Sequence, residues 1–158
     1  MPQNVLVAVI GGGEYLPRMI RAILDKNVIP ARNLFISSKS EAAKAAAEGS
    51  GAVVCEDTFA AVLKSEIVLL CASRREMATE LAPLSQCIQK RILVTVCDDA
   101  RVNVEFVGER VVSGTELIAA TLHKDEDGKL SASYEIGKNV RLFLHQPCRD
   151  LVNAMCED

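Results

Sequence analysis

Between Asn4 and Ile29 the chain runs apolar without a break from Val5 to Ile10 and stops at three glycines. It resumes with apolar residues at three- and four-residue steps, Leu16, Met19, Ile20, Ile23 and Leu24. The first pattern is too uniformly apolar for a strand with one wet face, so it predicts a buried central strand of a parallel sheet. The second predicts an amphipathic helix. Gly11, Gly12 and Gly13 between them allow a sharp turn and close approach of a ligand to backbone. A helix start behind a glycine turn is an anion site, and in this setting the usual anion is a dinucleotide pyrophosphate. Gly11 and Gly13 fill two places of the G-x-G-x-x-G pattern, whereas Leu16 stands where a small residue would allow close helix packing.

Further along, the pattern predicts a second strand over 33–37, after the loop Val28-Ile29-Pro30, and then Ser37-Ser38-Lys39-Ser40. An acid closing this strand would suit the ribose hydroxyl of NAD, while hydroxyls and a cation suit the 2′-phosphate of NADP, so the segment favours NADP. Ser40 also reads as the cap of an alanine-rich helix over 41–48. A short third strand over 52–55 follows, then an Asp57 or Thr58 cap and a helix over 59–64. Two more wholly apolar strands are expected at 66–72 and 91–97, the first ending at Cys71-Ala72-Ser73 beside the glycine turn. Between them lies a helix over 76–81 that Pro83 should stop. Asp98-Asp99 closes the fifth strand, either as an acid and base pair or, by the commoner pattern, as a cap.

After Arg101 the alternation weakens. Val111-Val112 reads as a short strand. Ser113 to Glu116 has capping-box spacing, so 117–123 fits a helix, yet it also fits a hairpin with 130–136 across Asp125-Glu126-Asp127-Gly128. The tail over 140–155 reads as a helix kinked at Pro147, or as two short helices. His123 and His145, the two histidines, have no nucleophile or metal partner at a recognisable spacing and read as structural.

Composition narrows the class. The 158 residues make one domain of ordinary size, with a core over 1–110 and an irregular extension over 111–158. With 49% apolar but only 4% aromatic residues, the core should be aliphatic, as in an α/β protein. A net charge of −3 offers no basic field for nucleic acid, and no apolar run is long enough to span a membrane. Without a basic leader, the expected location is the cytoplasm. The six cysteines form no C-x-x-C pair, which argues against zinc. Cys71 and Cys97 read as small core residues, and Cys148 and Cys156 as exposed.

The order of these features resembles the amino-terminal cofactor domain of the pyrroline-5-carboxylate reductase family. The matching segments are Val9-Ile10-Gly11-Gly12-Gly13, Asn27-Val28-Ile29-Pro30, Ser37-Ser38-Lys39-Ser40, Leu81-Ala82-Pro83-Leu84 and Lys90-Arg91-Ile92-Leu93-Val94. The resemblance covers about residues 4–115. It implies a Rossmann-like, doubly wound, mainly parallel sheet flanked by helices, NADPH as hydride donor, and reduction of a small cyclic imine. The implied cofactor contacts are Gly11, Gly12, Gly13, Glu14, Tyr15 and Leu16 at the turn, Ser37, Ser38 and Lys39 at the 2′-phosphate, and Cys71, Ala72 and Ser73 at the end of the fourth strand.

The departures carry expectations of their own. Glu14-Tyr15-Leu16 replaces the family's Asn-Met-Ala, and Glu14 should stabilise the helix while competing with a pyrophosphate for its amides. Ala72-Ser73-Arg74 and Cys97-Asp98-Asp99 alter the nicotinamide side. Family members continue into a helical domain that builds the dimer and the substrate pocket, whereas a single cofactor domain, plausibly a homodimer, is expected here. Two functions follow: an NADP-dependent oxidoreductase, or a nucleotide-binding or protein-interaction module that kept the fold without the chemistry.

Overall fold

The computed structural model describes residues 5–156. One seven-stranded sheet runs in the order β3-β2-β1-β4-β5-β6-β7. Its strands are β1 Val7–Gly11, β2 Leu34–Ser38, β3 Val53–Val54, β4 Ile67–Cys71, β5 Ile92–Cys97, β6 Glu116–Lys124 and β7 Leu130–Ile136. The first six are parallel and β7 is antiparallel to β6. β1 sits between β2 and β4, so the chain order turns back beside it, and a crevice opens at the carboxyl ends of the strands.

Helices cover both faces, which explains why the central strands are apolar without alternation. Along β1, Val7 and Val9 join one core cluster while Ala8 and Ile10 join the other. Helices α1 Tyr15–Asp25 and α2 Glu41–Ala47 pack on the first face. There Leu16, Met19, Ile20 and Ile23 of the predicted stripe are wholly buried and Leu24 partly so. Helices α3 Thr58–Leu63, α4 Met77–Leu81 and α5 Val107–Arg110 cover the second face. The capping expectations hold in detail: Ser40 Oγ accepts from the Ala43 amide at 3.2 Å, and Asp57 Oδ1 from Ala60 at 2.8 Å.

Several expectations need correction. Of the two readings left open for 117–123, the hairpin with 130–136 forms, with Leu130 opposite Lys124 and Ile136 opposite Ile118. Val111-Val112 is not a strand; a π turn over Val102–Phe106 and α5 precede it. The α-helix does end before Pro83, as expected: α4 stops at Leu81 and the chain tightens into a 3-10 turn, Ala82–Gln86, near whose start Pro83 has no amide to satisfy. The tail is a 3-10 turn, Leu142–Leu144, followed by α6 His145–Cys156. Pro147 lies in the first turn of α6, where a missing N–H costs nothing, so it does not kink the helix. Residues 116–156 therefore hold regular structure, and α6 packs into the first core cluster through Cys148, Leu151, Val152 and Met155. Cys148, expected to be exposed, is fully buried, and Cys156 is half-buried.

Among the described residues, no helix is long and apolar enough to cross a membrane, and no group of three acids, cysteines or histidines is placed to hold a metal ion.

Candidate active site

The glycine turn lies at the reversal in strand order. Gly11 and Gly13 have φ of 109° and 85°, conformations that L side chains rarely adopt. Gly11 also passes so close to β4 that a Cβ there would collide with the Cys71 carbonyl oxygen. The Gly12 amide donates to that same oxygen at 2.9 Å and pins the turn to β4. That bond consumes one of the glycine amides. The amides of Gly13, Glu14 and Tyr15 open α1, and Glu14, at the cap position with helical backbone angles, places no side-chain hydrogen bond on them. Leu16 is buried in the core and does not face the crevice.

Two hollows flank the turn. On the β2 side, Gly11, Ser37, Ser38 and Lys39 line a space of about 190 Å3 together with Glu56, Asp57, Thr58 and Glu80. Ser38 is committed to the fold: its hydroxyl donates to the Gly11 carbonyl at 2.7 Å and accepts from the Ser40 amide at 3.0 Å. Ser37 is buried and Lys39 exposed. Burial pushes the Glu80 carboxyl up, the neighbouring Glu76 adds to the shift, and the Lys39 charge opposes it. The lysine thus works among three carboxylates.

On the β4 side, Gly12, Gly13, Glu14, Tyr15, Cys71, Ala72, Ser73 and Asp98 surround a narrow space of about 40 Å3. Burial, and next Glu14, raise the Tyr15 hydroxyl above its ordinary range, with Asp98 adding to the effect. The phenol therefore stays protonated at neutral pH, within the influence of a carboxylate. Asp98 and Asp99 divide their roles. Asp99 Oδ1 accepts from the Val102 amide at 3.0 Å and caps the following turn, while Asp98 lines the hollow. Burial drives the Cys71 thiol up to about 12, so it is a packing residue and no nucleophile.

The two histidines are structural. His123 Nε2 pairs with Ser133 Oγ at 2.8 Å and His145 Nε2 with the Val140 carbonyl at 3.1 Å, both away from the turn.

The structure also brings in Glu76, which the reading of the sequence used only as the start of a helix. Its Oε1 accepts from Ser73 Oγ at 2.8 Å and from the Ser73 amide at 3.3 Å, and its carboxylate lies against Gly12 and Gly13. The available signal was the Ser73-x-x-Glu76 spacing, a capping box on the loop after β4.

No protein-family model matches the chain, and no curated protein matches it in sequence. Solved structures match it in fold. The Plasmodium falciparum pyrroline carboxylate reductase, determined with NADP bound, matches with a TM-score of 0.79 at 17% identity, over 98% of this chain and 56% of the other. The fold is Rossmann-like. The pyrroline-5-carboxylate reductase of Coxiella burnetii matches with a TM-score of 0.80 at 11% identity, over 97% of this chain and 57% of its own. An imine reductase from Myxococcus stipitatus in complex with NADP+ matches at 0.67 and 16% identity, over 95% and 52%. This Rossmann-like chain spans just over half the length of the structures it matches. At such low identities the likeness concerns architecture, including the crevice beside β1, and not particular side chains.

Proposed function

We propose that this chain binds a nicotinamide dinucleotide across the glycine turn, with NADP preferred, and serves the reduction of a small cyclic imine as its resemblance to the pyrroline-5-carboxylate reductases implies. The observation that carries the reading is the turn itself, held by the Gly12 to Cys71 bond at the reversal in strand order, with one hollow on each side. A dinucleotide has this shape: two nucleotides joined at a pyrophosphate. Backbone at Gly11 to Gly13 and the start of α1 would hold the pyrophosphate. Lys39 and Ser37 would hold the 2′-phosphate end, and Cys71, Ala72 and Ser73 the nicotinamide end. The bound cofactor would supply the hydride, and the protein's part is positioning. The Tyr15 hydroxyl shares the narrow hollow with the Glu14 and Asp98 carboxylates, and, staying protonated at neutral pH, it would be the proton donor to a reduced imine nitrogen.

A specific observation favours a second reading. Glu56, Asp57 and Glu80 around Lys39 disfavour a doubly charged phosphate, and NAD carries none at that position. Calorimetric titration with NADPH and with NADH separates the two, followed by a test for NADPH oxidation with pyrroline-5-carboxylate. Lys39→Ala should weaken NADPH binding by about tenfold while leaving NADH within about twofold; equal losses would remove Lys39 from the phosphate site. Binding without turnover would leave a nucleotide-binding module, and no binding of either cofactor would refute the proposal. Completion of the substrate side by a second copy of the chain belongs to the same reading.

A further inference from the structure

We propose that the Glu76 carboxylate is an internal occupant of the phosphate-facing side of the glycine turn, an autoinhibitory contact that a dinucleotide must displace in order to bind. The inference rests on the dinucleotide reading of the crevice and names its regulating residue. Glycines at positions 12 and 13 leave clear the space that side chains would fill. Glu76 enters that space: a Cβ on Gly12 would lie 3.3 Å from its Oε2, and one on Gly13 would lie 3.5 Å from its Oε1. The carboxylate is held there. Ser73 Oγ and the Ser73 amide donate to Oε1, and the Glu76 and Met77 amides both donate to the Ser73 carbonyl, at 3.1 and 3.0 Å, closing the turn that aims the side chain at the glycines.

Charge makes the contact exclusive. The start of α1 carries partial positive charge from its unpaired amides, and an anion beside it is stabilised. The Glu76 carboxylate lies beside the glycines that lead into this helix start. A pyrophosphate seeking the same amides meets a like charge in the same space, with Glu80 one helical turn further along α4. The two hollows, of about 190 and 40 Å3, lie below the roughly 300–1,000 Å3 of ligand pockets.

The same contacts cap the turn before α4, and a purely structural role predicts a different result. Loss of a cap lowers stability and leaves affinity unchanged or weakened. Loss of an occupying charge tightens binding. The test is calorimetric titration of the full chain and its Glu76→Gln and Glu76→Ala variants with NADPH and NADH, with Glu126→Gln, exposed in the β6–β7 turn, as a control for net charge and thermal melting to confirm folding. Glu76→Gln preserves the size of the side chain and an acceptor for Ser73, so it keeps the turn.

The expected result is a gain in affinity of about tenfold or more for both cofactors in the Glu76 variants and less than about twofold in Glu126→Gln. Binding by a variant when the parent chain shows none supports the proposal equally. If the parent chain binds and the Glu76 variants bind no more tightly, or if Glu126→Gln gains as much, the gate is overturned while the dinucleotide reading stands. If neither parent nor variants bind either cofactor, the dinucleotide reading fails and takes the gate with it.

Discussion

Leu16 occupies the third small-residue place of the glycine pattern, and it is wholly buried among the residues of the first core cluster. Its departure from the pattern is therefore a matter of packing. Leu16→Ala should cost about 2–5 kcal/mol of stability, through lost burial and a residual cavity, and urea unfolding measures it. A loss under about 1 kcal/mol would show that the helix stands off the sheet. The residues touching the turn were only partly legible in the sequence. Gly11 to Gly13 and Ser37 to Lys39 announce themselves by type and by position after apolar strands. The acid that faces the glycines does not. Glu14, adjacent in sequence, is exposed and makes no capping bond, whereas Glu76 reaches the turn across the sheet through a hydrogen-bonded loop. Adjacency along the chain is a poor guide to which charge faces a ligand, because a loop after one strand can project over the turn after another.

At the scale of elements, the joint between α3 and β5 is made by Arg91. Its Nε donates to the carbonyls of Val62 and Ser65 at 2.8 and 3.1 Å, and its Nη atoms reach Leu63, Cys87 and Gln89. A planar guanidinium satisfies the loose end of α3 and the turn before β5 together, which a lysine ammonium cannot. Arg91→Lys should lower stability by about 1–3 kcal/mol, since several half-buried carbonyls lose their donor. The melting temperature reports it, and an unchanged midpoint would reduce Arg91 to a surface residue. The elements most legible in sequence were β1, β4 and β5, where an apolar run can only be a strand covered on both faces. The least legible was β6. Five consecutive buried residues in its middle erase the alternation that distinguishes a strand, and its capping-box prefix imitates a helix start. What resolves it is a partner distant in sequence, β5, and the Asp125 to Gly128 turn. There Asp125 accepts from the Asp127 and Lys129 amides at 2.9 and 2.8 Å.

For the molecule as a whole, the two thiols in the first core cluster tie stability to pH. Burial drives Cys71 and Cys148 up to about 12 from an ordinary 9.0. The unfolded chain can ionise both thiols above pH 9 and the folded chain cannot. Their contribution is accordingly complete below pH 9 and is lost progressively as pH rises from 9 toward 12. Urea midpoints at pH 8, 9 and 10 should decline over the upper interval, and the decline should flatten in a Cys71→Ala, Cys148→Ala double variant. A parent chain whose midpoint is flat above pH 9 would contradict the burial of these thiols. The Gly12 to Cys71 bond has a consequence of a different kind, in time. Because the turn is already fastened to β4, the proposed displacement of Glu76 is a side-chain rotation and no refolding of a lid. Rotation of a single side chain is faster than the opening of a lid, which takes microseconds to milliseconds. The site would therefore reach equilibrium with any ligand almost as fast as the two meet, and its discrimination would lie in how many encounters succeed.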